Sequence, residues 1–149
     1  GTIYGPVALV KDGGGRLAFT YPTRYSGATT VRGGALRLGA NNVASSASEL
    51  VVDGGTLEIG ATTNTFASLT VSAGGMIDLG SGQIQFASQT ADAWTGQLNL
   101  TGTLGPASFR TQPLLTAEQL GSIRYNGARV TQNAEGYLAE FFGTILMLY

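Results

Sequence analysis

VVDGGTLEIG, residues 51–60, sets a glycine pair between two short runs of alternating apolar residues. Taken alone it fits a tight hairpin, a phosphate-binding loop, or one turn of a repeating coil. Its neighbours decide among these. KDGGGRLAF (11–19), VRGGALRLG (31–39) and SAGGMIDLG (72–80) carry the same arrangement. The first members of the pairs, Gly14, Gly33, Gly54 and Gly74, lie 19, 21 and 20 residues apart. After each pair runs x-apolar-x-apolar: Leu17 and Phe19, Leu36 and Leu38, Leu57 and Ile59, Ile77 and Leu79. Before three of the pairs stands a second short run, TTV (29–31), ELVV (49–52) or SLTV (68–71).

A fixed period near 20 with strand signals in each period marks a solenoid. The alternation has period 2, which is a strand period and not a helical one. Gly-Gly lets the chain turn a corner through positive φ without a Cβ clash. A hairpin would pair each glycine turn locally and would leave the match between neighbouring periods unexplained. Stacked in parallel, Leu17, Leu36, Leu57 and Ile77 form one inward column, and Phe19, Leu38, Ile59 and Leu79 the next. Ala18, Arg37, Glu58 and Asp78 then face outward, with Arg37 beside Glu58 as a cross-rung ion pair. SGQIQF (81–86) and TGQLNL (95–100) read as degenerate further copies of the repeat.

The totals narrow the function. Of 149 residues, 43% are hydrophobic and only 11% charged, so the chain has enough apolar residues to fill a core. The net charge is −1 and the eight basic residues are scattered, which excludes nucleic acid as an expected partner. No apolar run reaches the roughly 18 residues of a membrane span. Cysteine is absent, so neither disulfides nor thiolate metal sites are expected. Beginning at Gly1 instead of Met implies a processed or recombinant chain from which any export signal has been removed.

Histidine is absent too, which removes Ser-His-Asp and Cys-His catalysis and most transition-metal sites. The Gly13-Gly14-Gly15 run precedes a strand pattern and lacks a following Lys-Ser/Thr, so it is not a phosphate loop. One carboxylate pair has to be weighed. Glu58 and Asp78 stack about 5 Å apart on adjacent rungs, near the separation of a retaining glycosidase pair. Adjacent carboxylates on a solvated face are the commoner case. Phe19, Tyr21, Tyr25, Phe66, Phe86 and Trp94 could form a sugar-binding strip but read mostly as core or corner packing, with Trp94 over the last rung. No catalytic, cofactor or metal site is expected.

YSGATTVRGGALRLGA (25–40) resembles the autotransporter-associated β-strand repeat, also called the passenger-associated transport repeat. The family pattern Y-x-G-x-T-x-V-x-x-G-x-L-x-x-G is met by Tyr25, Gly27, Thr29 or Thr30, Val31, Gly34, Leu36 and Gly39. ADAWTGQLNLTG (91–102) and LLTAEQLGSIRYNG (114–127) are similar to the closing part of large secreted bacterial proteins with this repeat, so the resemblance covers about residues 7–140. It implies an all-β, right-handed parallel β-helix exported to the cell surface. It implies a scaffold and no particular activity.

The expected organisation is one domain, with solenoid repeats over 1–104 and a carboxy-terminal cap over 105–149. In TAEQLGSI (116–123), Thr116 and Gln119 form a capping box for a short helix, with Leu120 and Ile123 over the last rung. RVTQNAEGYLAE (129–140) reads as two strands around an Asn-Ala-Glu-Gly turn. The final TILMLY (144–149) is apolar on both faces, as strands buried on both faces are. The amino-terminal GTIYGPVALV is similarly uncharged.

Three readings of these ends stay open: both termini fold back, the chain is a piece of a longer protein, or one terminus completes a neighbour's sheet. The last would build a head-to-tail homopolymer. Its assembly residues would be Ile3, Tyr4, Val7 and Leu9 at the amino end. At the carboxyl end they would be Phe141, Phe142, Ile145, Leu146, Met147, Leu148 and Tyr149. The expected function is a non-enzymatic extracellular structural subunit of a surface fibre. The alternative is a monomeric stalk or adhesin that touches surface glycans.

Overall fold

The computed structural model describes residues 3–141. Each turn of the chain contributes short strands that stack on those of the next. The first rung holds β1 (Tyr4–Gly5), β2 (Leu9–Lys11) and β3 (Arg16–Phe19), and the second β4 (Arg24–Tyr25), β5 (Thr29–Val31) and β6 (Ala35–Leu38). Then come β7 (Leu50–Glu58), β8 (Thr63–Phe66), β9 (Leu69–Asp78), β10 (Gln83–Phe86), β11 (Leu98–Thr101) and β12 (Phe109–Thr111). The carboxyl end adds α1 (Ala117–Gly121), β13 (Ile123–Tyr125), β14 (Val130–Gln132) and β15 (Leu138–Glu140). Among the described residues every rung-to-rung strand pairing is parallel, and β14–β15 is the antiparallel exception. The fold is a parallel β-solenoid.

The register is the one the sequence implied. Leu17, Leu36, Leu57, Ile77 and Leu100 lie opposite one another in turn, and Tyr125 ends the column. Leu36, Leu57, Ile77 and Leu100 are fully buried. Burying such a side chain stabilises by about 1.5–3 kcal/mol, so these columns dominate the energetics of the coil. Ala18, Arg37, Glu58 and Asp78 form the outward row.

Gly14-Gly15 and Gly33-Gly34 bend the chain between separate strands, β2 to β3 and β5 to β6, but the other two pairs do something different from the expected corner. β7 and β9 run straight through Gly54-Gly55 and Gly74-Gly75, with register irregularities at that point, so the pair is a bulge inside a continuous strand. Gly75 has φ +142°, and a Cβ there would lie 2.6 Å from both the Gly55 carbonyl oxygen and Val52 Cγ1. Glycine is needed because one rung's backbone sits directly on the next. The sharper corner falls at the end of the same strand, where Gly80 has φ +54° and approaches the Gly60 carbonyl.

SGQIQF (81–86) is not a further copy of the repeat. Gln83–Phe86 pairs with Thr63–Phe66 and Phe109–Thr111, forming a third face of the same rungs. Period-2 alternation cannot tell one face of a coil from another; only the distance along the chain does. TGQLNL (95–100) is a true further copy, since Leu98 and Leu100 stack on Gly75 and Ile77. The third face carries an aromatic stack, Phe66 on Phe86 at 6.1 Å and Phe86 on Phe109 at 5.4 Å between ring centroids. Between β4 and β8 this face loses its strand. Residues 43–45 pass there unpaired as a strand, and Asn64 fills in, its Oδ1 accepting the Val43 N–H at 2.8 Å.

Parallel stacking runs past residue 104, with β12 on β10 and β13 on β11. Ile123 is therefore a rung residue and not a cover, while Leu120 packs half-buried against the core. Trp94 sits ahead of β11, its Nε1 donating to the Leu69 carbonyl at 3.1 Å, and does not lie over the last rung. The helix begins as read: Thr116 Oγ1 accepts the Gln119 N–H, and Gln119 Oε1 accepts the Thr116 N–H, both at 3.0 Å.

Candidate functional site

The two ends of the coil are built unlike each other. At the carboxyl side, polar side chains and a hairpin meet the strand edges. Gln89 lies flat against Leu69, its Oε1 accepting the Leu69 N–H at 2.8 Å and its Nε2 donating to the Leu69 carbonyl at 2.9 Å. A side-chain amide thus takes the place of a further strand. The hairpin covers β12: Tyr137 bridges Arg110 in antiparallel fashion, and the Thr111 N–H donates to the Gly136 carbonyl at 3.0 Å. Gln132 Nε2 reaches Thr111 Oγ1 at 2.8 Å, and the Arg110 guanidinium stacks 4.9 Å from the Tyr137 ring centroid. Gln119, almost wholly buried, donates to the carbonyls of Thr90 and Asp92 at 3.0 and 2.8 Å and so pins α1 to the loop before β11.

Among the described residues the first rung, at the amino end, pairs on one side only. β2 bonds to β5, and β3 to β6. The Leu9 N–H and the Gly15 and Phe19 carbonyls serve those ladders, so by strand alternation Val10, Arg16 and Ala18 aim their amide groups outward. Leu17 is 39% exposed although Leu36, next in its column, is fully buried. Phe19 is only half-buried. An unpaired edge backed by apolar side chains is a template for another strand.

Of the residues expected to mediate assembly, Ile3 and Leu9 are half-buried against the core, and Tyr4 and Val7 are 67% and 50% exposed. All four belong to the first rung. Phe141 is 49% exposed just after β15, its N–H donating to the Arg129 carbonyl at 3.1 Å. Phe142, Ile145, Leu146, Met147, Leu148 and Tyr149 lie outside the described residues. Phe141 follows the cap, at the end of the stack opposite the amino set. Along one face β2 and β13 are the first and last of six stacked strands, five spacings or roughly 24 Å apart.

Leu17 and Phe19 belong with this edge although the sequence placed them simply in the core. The signal was available: in the first rung a column has a neighbour on one side only. Lys11 was hidden better. It occupies the inward position of Val31, Val52 and Val71, with its stem buried. Its ammonium donates to the carbonyls of Asp12, Gly13 and Gly33 at 2.8, 3.1 and 3.1 Å. The triple glycine obscures this, because β2 takes its spacing from Gly13-Gly14 and β3 from Gly14-Gly15.

The carboxylate pair is engaged in the fold. Arg16 grips Glu58 at both oxygens, Nε 3.0 Å from Oε1 and Nη2 donating to Oε2 at 3.1 Å. The Nε lies off the line of a good hydrogen bond to Oε1, so that contact is mainly Coulombic. Arg37, the expected partner, stands farther off at 3.8 Å. Asp78 Oδ1 accepts the Gly80 N–H at 3.0 Å and fixes the corner. Among the described residues no three His, Cys, Asp or Glu side chains gather to hold a metal, and no helix is long and apolar enough to cross a membrane.

A buried hydroxyl chain marks the second and third rungs. Tyr25 OH lies 2.7 Å from Thr29 Oγ1, which lies 3.0 Å from Ser48 Oγ, and Ser48 donates to the Gly27 carbonyl at 2.6 Å. Burial pushes the Tyr25 phenol above its ordinary range, with the Thr29 hydrogen bond opposing in part.

Comparison with known proteins agrees with this architecture. Residues 9–38, which span β2 to β6, match the family model described as Passenger-associated-transport-repeat. No curated protein and no solved structure matches the chain. The repeat, carried on stacked parallel rungs, fits an autotransporter passenger-repeat protein.

Proposed function

We propose that this passenger-type solenoid is a non-enzymatic structural subunit of the cell surface, and that it assembles by donating residues 144–149 to the open first rung of another copy. The observation that carries the proposal is the exposed edge at Leu17 and Phe19, set against a carboxyl end already closed by α1 and the β14–β15 hairpin. That closure argues against rung-on-rung stacking, since the hairpin occupies the edge a second coil would need.

Chain reach argues against self-insertion at the first rung. From Phe141 to Thr144 the chain spans at most about 11 Å. The open rung lies roughly 24 Å away. A strand that began at Thr144 would start too far from its own β2 and β3 to line them, which favours a neighbour as the acceptor. Burying five large side chains would contribute on the order of 7–15 kcal/mol before ordering costs. The contact is head-to-tail and does not close, which gives a filament. The structural role is supported by Glu58, held by Arg16 and Arg37, and by Asp78, whose Oδ1 is committed to the Gly80 turn.

A second reading, the monomeric stalk, is favoured by Lys11. An inward-pointing lysine on an edge strand is a device against edge pairing. On the assembly reading it confines the acceptor to β3.

Complementation separates the two. Leu146→Asp with Leu148→Asp removes the donor, and Leu17→Asp the acceptor. Each variant alone should be a soluble β-rich monomer by circular dichroism and light scattering. Mixed, they should form one-to-one dimers that do not grow. Fibres from a chain lacking 144–149, or an intact protein that stays monomeric at high concentration, would defeat the assembly reading.

A further inference from the structure

The carboxyl-terminal cap carries a hollow between its helix and its hairpin. Ala117, Leu120 and Gly121 on α1, with Arg129 and Val130 where β14 begins, line a groove of about 170 Å³. It is too small for the roughly 300–1,000 Å³ of a small-molecule site, whereas a cavity of about 150 Å³ holds a benzene ring. Its size therefore selects a single large side chain as the occupant.

The chain itself brings such a side chain to the groove. β15 pairs with β14 in a register that sets Glu140 opposite Val130 and Leu138 opposite Gln132. The ladder runs one residue further, since the Phe141 N–H donates to the Arg129 carbonyl at 3.1 Å. Phe141 thus stands beside one wall of the groove, and the next residue in the chain is Phe142. Alternation decides which way that residue would face. Leu138 and Val130 share the inward face and are buried, whereas Ala139 and Phe141 share the outward face and are exposed. Glu140 is on the inward face by register yet is exposed, so the cover of that face ends beside the groove. Continued by one residue, the same strand would set Phe142 on the face of Leu138 and Val130. Gly143 follows without a side chain, and the next large apolar residue is Ile145.

We propose that Phe142 fills this groove, packing between Leu120 and Val130, and so anchors the root of the apolar tail to the cap. Phe142 then belongs with the cap and not with the assembly residues, and Gly143 is the pivot between the anchored ring and residues 144–149. The anchor acts within one chain and does not rest on strand donation.

Because the chain has no cysteine, introduced thiols report on single positions. In the full chain at high dilution, Leu120→Cys with Phe142→Cys should close a disulfide within one molecule. It should close roughly tenfold faster, or more, than Leu120→Cys with Phe141→Cys, whose side chains point to different faces. In denaturant titrations Phe142→Ala should lower the folding equilibrium constant roughly ten- to hundredfold. Phe141→Ala should lower it less than about threefold. A first pair that closes no faster than the second, or only between two chains, would overturn the proposal. So would equal losses from the two alanine variants, or faster closure of Leu120→Cys with Leu146→Cys, which would put the distal tail in the groove.

Discussion

Leu57 and Leu17 occupy one inward column, two rungs apart, and differ in what lies above and below them. Leu57 has Leu36 on one side and Ile77 on the other and is fully buried. Leu17 has Leu36 on one side and solvent on the other. The contrast extends to the whole ends. Toward the carboxyl terminus, Gln89, Gln119, Gln132 and the hairpin satisfy the backbone that the narrowing coil leaves bare. Toward the amino terminus, a lysine in place of a valine is the single comparable measure among the described residues. A repeat fold solves its interior once and copies it, whereas each end must be solved separately.

The sharpest way to break this comparison is to truncate both leucines. Leu57→Ala should cost about 2–5 kcal/mol, since neighbours above and below hold the cavity open. Leu17→Ala should cost less than half as much in the monomer. Denaturant unfolding of both variants measures it. Equal losses would mean that the first rung is covered in solution and the open edge is not real.

The next effect is at the closed end. Gln119→Ala removes half of the capping box and leaves the Thr90 and Asp92 carbonyls without their donors. The expected loss is about 2–3 kcal/mol, the sum of a cap and a buried unsatisfied acceptor. Val10→Ala, on an exposed face of the open rung, should stay within about 0.5 kcal/mol. If instead Gln119→Ala is silent, the cap does not close the coil in the way described.

How far these contrasts could be read from sequence depends on the spacing of the residues involved. Leu36, Leu57 and Ile77 recur at a near-constant interval after a glycine pair, so both their strands and their register were legible. Thr116 and Gln119 carry a local signal, a side chain three residues from its backbone partner, and the helix start followed from that alone. Ile84 and Phe86 alternate like the repeat but belong to another face, and alternation holds no information about which face. Lys11 was masked by one extra glycine. The gap in the third face at residues 43–45 was invisible, because it arises from a strand that fails to form, and the buried partner that replaces it, Asn64, is distant in sequence. The assembly residues beyond Phe141 stay where the sequence left them, an argument from apolar alternation.

A smaller effect lies just inside the open end and depends on pH. The Tyr25 phenol is raised by burial, so the folded state holds its proton after the unfolded chain has begun to lose it. Its contribution is fully present below the unfolded value of about 10 and is lost as pH rises through the higher folded value. Stability should therefore fall above about pH 10, and Tyr25→Phe should flatten that fall. At neutral pH the same variant should cost about 1 kcal/mol, one hydrogen bond to Thr29. An unchanged alkaline slope would place the proton release elsewhere.

The smallest expected effect concerns the ion pair that ties the open rung to the third. Arg16 reaches past the second rung to Glu58, and its side chain is 58% exposed against 14% for Glu58. Screening of the exposed partner limits such a pair to about 0–1 kcal/mol. Arg16→Ala also does not orphan the carboxylate, because Arg37 stands 3.8 Å away and can move closer. The variant should therefore unfold within about 1 kcal/mol of the native chain, and added salt should narrow the gap. A double-mutant cycle with Glu58→Gln isolates the pair. A coupling as large as the loss from Leu57→Ala would mean that charge on the outer face, and not the inward column, fastens the first rung. The open end would then owe its order to Glu58, two rungs below it.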